Sequence, residues 1–301
     1  MWFRNLQLYR LTESFSLDPE QLEQQLAEHA FTHCSGLDTH RIGWDRPLGN
    51  QGSQLLHVTN GRLMLCLRRE DRLLPPAVVR EALQEKVEHI EASEARPVGR
   101  KEKTRLRDEI VIDLLPRAFT RSRRLFAYID PRADLIVVDA GTPKQAEELL
   151  TLLRDTLGSL KVRPLQVKQS PALLMTRWLE GKLPKDFSLE DECELKEPVD
   201  KGSVIRGRRL EHLRDDLHHH IDAGMQVSRL AVEWNERLRC VLGDDLGVRR
   251  LRFTDLVMQE AGDTEADDAA ARFDADFALM SGELAHFIPR LIEVFGGEDA
   301  D

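Results

Sequence analysis

The sequence lacks the features that would place it in a membrane or in an oxidising compartment. No apolar run approaches the roughly 20 residues that a membrane-spanning helix needs. The first residues, MWFRNLQLYRL, have neither the basic start nor the apolar stretch of a secretion signal. The four cysteines are far apart in the chain, so they indicate neither a disulfide framework nor a CxxC pair. We therefore expect a cytoplasmic protein with reduced thiols.

Short motifs that carry catalysis or cofactor binding are also missing. The chain has no GxxxxGK[ST] phosphate loop, no GxGxxG fingerprint, no GxSxG nucleophile elbow and no HExxH zinc motif. The histidines His218 to His220 would point about 100° apart on a helix, so they cannot converge on one ion. Asp244 and Asp245, in GDDLG, favour a hairpin turn, with a carboxylate metal pair as the alternative. We expect no enzyme, no cofactor and no metal site.

Local patterns predict a mixture of helices and strands. Two strand-like runs meet at Asn60-Gly61, the favoured two-residue hairpin turn, and period-two alternation begins at Phe119. Pro143 opens and Gly158 ends a well-signalled helix. Residues 36–52, with four glycines, predict a loop around Trp44, and Pro289 predicts a kink or restart in the last helix. The expected fold class is α+β, with mixed, mostly antiparallel sheets and flanking helices.

The order of these patterns divides the 301 residues into four expected parts. They are an N-terminal α/β part (1–75), a helical, basic, projecting part (76–118), a β-hairpin with a helix that closes the first half (119–170), and a C-terminal α/β part with an acidic helical tail (171–301).

Charge is distributed unevenly along the chain. The formal net charge is −10, but residues 254–301 hold thirteen acids and two bases, which leaves the remaining 253 residues at +1. Within that portion, residues 96–124 hold ten bases and four acids. An acidic end with a basic middle indicates a molecule with a local site for a polyanion.

The basic residues form clusters, and the central one, LLPRAFTRSRR, surrounds a single aromatic ring. Any one cluster could be a solvated strand face, but together they favour nucleic acid, because arginine binds phosphate through paired donors. Phe119 could stack on an unpaired base, anchor a contact between subunits, or pack in the core; its neighbours Pro116 and Ala118 favour a projecting interface residue. The candidate DNA-binding residues are Arg96, Arg100, Lys101, Lys103, Arg117, Arg121, Arg123, Arg124, Lys201, Arg206, Arg208 and Arg209.

Five blocks, in order from end to end, resemble the RdgC family of bacterial recombination-associated proteins. They are MWFRNLQLYRL, HVTNGR, LLPRAFTRS, VIRGRR and RFDADFALMSGELA with the following LIEVFGGE. The resemblance implies a curved subunit that pairs into a ring-shaped homodimer with a basic central hole. It also implies nonspecific binding of double- and single-stranded DNA on the nucleoid, which restrains RecA access to DNA in recombination.

Carried onto matching positions, the resemblance places Arg117 and Arg121, together with Arg206, Arg208 and Arg209, at or beside the hole. Phe119, with Pro116 beside it, would take part in the contact that closes the ring, so these two are the candidate dimer-interface residues. Two departures from the family pattern stand out. Asp45-Arg46 replaces residues that are usually apolar or small, which leaves the role of that loop open. Arg123-Arg124 makes the central cluster more basic, which should strengthen phosphate contact.

Two other classes of function remain as alternatives. A metal-dependent nuclease would use acidic pairs such as Asp244 and Asp245. A protein-interaction module would dock on a basic partner through the acidic segment 254–301.

Overall fold

A computed structural model describes residues 1–199, 202–208, 210–262 and 268–299, without the side chains of 211–216 and 261. The helices are α1 (Pro19–Glu28), α2 (Pro76–Glu94), α3 (Arg100–Leu114), α4 (Pro143–Leu157), α5 (Pro171–Leu179), α6 (Leu210–Asp222), α7 (Asp255–Gly262) and α8 (Ala269–Val294). The strands are β1 (Gln7–Leu11), β2 (His40–Asp45), β3 (Leu56–Thr59), β4 (Arg62–Leu73), β5 (Phe119–Asp130), β6 (Leu135–Val138), β7 (Val162–Pro164), β8 (Phe187–Lys196), β9 (Val204–Arg208), β10 (Gln226–Trp234), β11 (Leu238–Gly243) and β12 (Val248–Phe253). Among these helices, none is both long and apolar enough to cross a bilayer.

The strands form two sheets. The first has the order β2-β4-β5-β6-β1-β7, with β3 beside the first half of β4, and the second has the order β12-β11-β10-β8-β9. Every strand pairing within these sheets is antiparallel. The prediction of an α+β fold with mostly antiparallel sheets is therefore confirmed.

Helix α8 joins the two sheets. One face of the first sheet packs against α1 and α4, and its other face meets α8 through the rings of Tyr128 and Phe277, 5.8 Å apart. Farther along α8, Phe287 packs on Trp234 of the second sheet at 5.4 Å. Pro289 lies inside this helix, which runs on to Val294, so the prediction that it restarts the helix is wrong.

The segment between β4 and β5 forms an extension that we call the arm, residues 68–124. Strands β4 and β5 pair in continuous register from Leu63↔Ile129 to Leu73↔Phe119, and α2 and α3 are inserted between them. The two helices pack on each other around a small separate core that contains Val87. The first six residues of β5 are all exposed. The start of β5 therefore presents its side chains to solvent rather than to a core.

The hairpin prediction is confirmed, whereas the loop predicted around Trp44 is wrong. Asn60 and Gly61 both have positive φ, 53° and 79°, as a tight primed turn requires. Residues 40–45 form β2, and Trp44 is buried there, with its ring nitrogen donating to Thr156 at 2.8 Å. Gly43 is needed in this strand because a Cβ there would lie 2.5 Å from the Phe31 Cα. The proposed division into four parts stays a prediction.

Asp186 fixes α8 to the second sheet and generates a prediction about acid stability. Its carboxylate accepts two bonds from Arg290 at 2.8 Å and one from the Trp234 ring nitrogen at 3.0 Å. These bonds, led by those of Arg290, lower the pKa of Asp186 to about 2. A carboxyl group whose pKa is lower in the folded state stabilises the fold at pH values above its usual pKa of 3.8. This stability is lost as the pH falls through about 2.

We expect Asp186→Asn to lower the free energy of unfolding at pH 7 by about 2 kcal/mol. The difference in unfolding free energy between the variant and the wild type should shrink as the pH falls from about 4 towards 2. Urea denaturation over that pH range measures it. Glu13→Gln, in an exposed pair with Lys161, is the control and should change stability by less than about 1 kcal/mol. A difference for Asp186→Asn that stays constant with pH would contradict this account.

Candidate nucleic-acid interface

The start of α3, at the far end of the arm, is an exposed positive cluster. Arg100, Lys101 and Lys103 are exposed, and none of them has a carboxylate partner among the described residues. Positive charge at a helix N-terminus is opposed by the helix dipole, so these side chains gain from an external anion. Arg96 differs, because it is held by Glu94 at 2.6 Å and by Glu102 at 2.8 Å, contacts that raise its pKa.

The arginines of β5 divide into free and paired groups. Arg117, just before the strand, and Arg121 are exposed and have no carboxylate partner in the described part of the chain. Arg123 contacts Glu148 of α4 at 2.8 Å, and Arg124 contacts Asp45 of β2 at 2.9 Å. The arm therefore offers some arginines to solvent and uses others to attach itself to the body.

The two departures from the family pattern are partners in one ion pair. Asp45 accepts from Arg124, and Arg68 approaches the same carboxylate at 3.7 Å. Asp45 thus has a structural role, since its carboxylate links β2 to β5 across the intervening strand β4. Arg123 and Arg124 each contact a carboxylate of the chain, which a phosphate would have to displace, so the expectation that they strengthen phosphate contact stays a prediction.

Phe119 is the first residue of β5, and its side chain is 85% exposed, which excludes core packing within its own subunit. The segment before it is held by Arg72, whose guanidinium donates to the carbonyl of Pro116 at 2.8 Å and to that of Ala118 at 3.4 Å. Leu73, opposite Phe119 in register, is also exposed. The ring is therefore presented from a fixed backbone next to further apolar surface.

A mainly apolar groove of about 600 Å³ lies at the base of the α2–α3 pair. Leu74, Val79, Leu83, Val111 and Leu115 contribute its apolar wall. Arginine side chains, Arg72, Arg80 and Arg107, also line it. A groove of this size and composition can accept an aromatic side chain.

Of the remaining predicted residues, Arg206 and Arg208 are described and lie on the second sheet. Arg206 and Arg208 are exposed on β9, on the face opposite the core, where their register partners on β8 are Glu194 and Glu192. Arg206 contacts Glu194 at 2.8 Å. Lys201 and Arg209 fall outside the described residues. The predicted cations thus form two groups on different sheets, and their convergence on one wall stays a prediction.

Four arginines on the same outer face were missed by the sequence reading: Arg229, Arg239, Arg250 and Arg252. Arg229 and Arg239 lie singly on β10 and β11, whereas Arg250 and Arg252 belong to the run VRRLRF of β12, which was interpreted only as a strand. The sequence signal for them was the alternation of side chains along these strands: residues such as Leu230 and Val232 face the core, so their neighbours face outward. A cavity of about 430 Å³ on this face is lined by Arg208, Arg239, Arg250 and Arg252 together with three acids.

The acidic candidates have structural partners. Asp245 accepts from the Gly247 amide at 3.0 Å and from Arg249 at 2.9 Å; burial raises its pKa, but the Arg249 contacts outweigh this and lower it. Burial and the charge of Asp245 raise the pKa of Asp244. Within the described ranges, no group of three or more His, Cys, Asp or Glu side chains could hold a metal ion.

Several acids of the C-terminal segment are held inside the molecule. Asp276 pairs with the Met1 amine at 2.5 Å, and Glu283 contacts Arg237 at 2.7 Å. Much of α8 is buried, so this helix is a core element rather than a free acidic surface.

Comparisons with known proteins agree with the resemblance seen in the sequence. The family model described as "Putative exonuclease, RdgC" matches residues 1–298. The chain is 47% identical over 300 residues to "Recombination-associated protein RdgC" of Aeromonas hydrophila, an alignment that covers 99% of each chain. It is 46% identical to the protein of the same name from Halorhodospira halophila (100% of this chain, 99% of that one) and 44% identical to that of Proteus mirabilis (99% of each).

The division into free and paired arginines can be tested through stability. We expect Arg124→Gln to lower the free energy of unfolding by about 1–2 kcal/mol, because it leaves the mostly buried Asp45 carboxylate without its closest partner. Arg121→Gln should change it by less than about 0.5 kcal/mol. Urea denaturation of both variants measures the difference. Equal losses would show that Arg121 also has a structural partner.

Proposed function

Because the chain belongs to the RdgC family of recombination-associated proteins, we propose that it binds double- and single-stranded DNA without sequence preference as a ring-shaped homodimer. By occupying DNA, it restrains the access of RecA and so modulates recombination on the nucleoid. In this proposal the protein is not an enzyme and acts by competition.

One observation carries the proposal: the arm exposes cations that no carboxylate of the described chain neutralises. They are Arg117 and Arg121 beside β5, and Arg100, Lys101 and Lys103 at the start of α3. A chain with a net charge of −10 repels DNA overall, so binding needs a local positive site. Free guanidinium and ammonium groups on one extension give DNA a place to bind, and phosphate contacts of this kind carry no sequence preference.

The homodimer is supported by Phe119 and the neighbouring groove. In a two-fold contact each copy offers the same patch, so the Phe119 ring of one copy can enter the groove of the other, and the reverse. The rigid backbone held by Arg72 reduces the entropy lost on association. Stacking of Phe119 on an unpaired base is the other use of an exposed ring. We favour the subunit contact because an apolar groove lies on the same arm.

DNA binding through the arm predicts a steep dependence on salt. If about 6–10 phosphates are contacted, the affinity should fall by roughly 10³–10⁵ between about 50 and 200 mM salt. Arg121→Gln should weaken binding to all sequences about equally and reduce the slope of log affinity against log salt by about 1. Fluorescence anisotropy with short duplexes of different sequence measures both quantities. A flat salt response would refute the proposed DNA binding.

The subunit contact predicts that Phe119→Ala weakens the dimer. Truncation of an interface anchor costs about 2 kcal/mol or more, and the two-fold contact loses one anchor from each copy, so the dimer dissociation constant should rise roughly 10³-fold. Sedimentation equilibrium measures this constant. Leu173→Ala, which removes an exposed apolar side chain from α5, should leave it unchanged. A Phe119→Ala protein with the wild-type dissociation constant and DNA affinity would show that the assigned role is wrong.

A nuclease is the second candidate, because the matching family model is described as an exonuclease. Asp244 and Asp245 are the acids that the sequence offers for it, although Asp245 is engaged by Arg249 and by its own turn. Incubation of DNA with the protein and Mg²⁺ or Mn²⁺ separates the two functions: intact DNA excludes the nuclease, and degraded DNA excludes a purely competitive role.

A further inference from the structure

The outer face of the second sheet alternates arginines with glutamates around the 430 Å³ cavity. The register places Arg208 opposite Glu192, and Arg239 opposite Arg252. Two like charges directly opposite each other on antiparallel strands are unfavourable unless an anion lies between them. The positive charge on the β11–β12 side of the cavity is therefore not balanced by acids on those two strands.

Some of these arginines are held by resident carboxylates. Both terminal nitrogens of Arg250 contact Glu192 at 2.8 Å. Arg239 contacts Glu233 of β10 at 2.5 Å and approaches Glu190 at 3.4 Å. Arg208 and Arg252 have no carboxylate contact within 4.0 Å among the side chains that the structure describes. Two arginines of the cavity are thus free, and two are occupied by acids of the same sheet.

The backbone of β12 is shaped to direct Arg250 onto this face. The strand has an irregular register between the pairs Arg239↔Arg252 and Val241↔Arg249, and Arg250 has a φ of 51°. A bulge adds one residue and turns the side chain that it carries, at a cost in backbone strain. Because of the bulge, Val248 and Leu251 both reach the core while Arg250 lines the cavity.

We propose that this cavity is a phosphodiester-binding site of the DNA interface, in which Glu192 and Glu190 act as resident counter-ions that a DNA phosphate displaces. The proposal rests on the DNA binding proposed above. Arg208 and Arg252 make the first contact, and Arg250 exchanges the Glu192 carboxylate for a phosphate. Arg239 keeps its contact with Glu233 and exchanges only the more distant Glu190. The resident acids compete with DNA for the arginines. The affinity for DNA is therefore lower than it would be if all the arginines of the cavity were free.

The decisive variants remove the competing charge and keep the shape of the side chain. Glu192→Gln should tighten binding of a short labelled duplex about two- to fivefold at a fixed salt concentration, the change that corresponds to loss of one exposed ion pair. Because Glu192 also holds the strained Arg250, Glu190→Gln is measured as a second variant, and it should tighten binding in the same direction. Thermal unfolding establishes that both variants are folded.

Glu13→Gln is the matched control, because it removes one negative charge from an exposed pair with Lys161. It should leave the DNA affinity unchanged. In the complementary experiment, Arg252→Gln should weaken binding and reduce the salt slope by about 1, because one phosphate contact is lost.

Tighter binding by both glutamate variants and not by Glu13→Gln supports the site. Unchanged or weaker binding by both would overturn it, and so would equal tightening by all three, which would reflect net charge alone. Absence of DNA binding by the wild-type protein would instead overturn the proposed function itself, so the two failures are distinguishable.

Discussion

An arginine that is held by a carboxylate of its own chain has to exchange that partner before it can bind a phosphate. This constraint divides the basic segment 96–124 into two kinds of side chain. Arg123 and Arg124 contact Glu148 and Asp45, and these contacts attach the arm to α4 and β2. Arg117 and Arg121 have no such partner among the described residues. Arg123 and Arg124 therefore stabilise the fold, whereas Arg117 and Arg121 are free to bind an external anion.

The arm depends on these contacts because it has little core of its own. Strands β4 and β5 leave the sheet core with only β2 beside them, and the exposed half of β5 buries no apolar face, so side-chain contacts have to support this extension. Glu70 supplies one support, since its buried carboxylate accepts from the Cys34 amide at 2.8 Å and contacts His33 at 2.9 Å. Arg72 supplies another by holding the backbone before Phe119. These contacts thus stabilise the part of the arm that presents the exposed Phe119 ring and the free arginines.

The sequence predicted most elements whose signals are local. The hairpin at Asn60-Gly61 and the helix from Pro143 to Leu157 follow from turn and capping residues alone. Strand β2 was missed because its glycine looks like a loop residue, whereas Gly43 is required by the distant backbone of Phe31. The pairing of Arg124 with Asp45 likewise joins residues far apart in the chain, so charge counting overestimated the free charge of the arm. The second-sheet arginines lie on four strands, β9 to β12, and only the folded sheet brings them onto one face.

The most direct test is a structure of the protein bound to duplex DNA. The account predicts phosphates within hydrogen-bond distance, about 3 Å, of Arg117 and Arg121, with Phe119 buried against a second copy of the chain. A complex in which the DNA lies away from the arm, with both arginines still facing solvent, would contradict it.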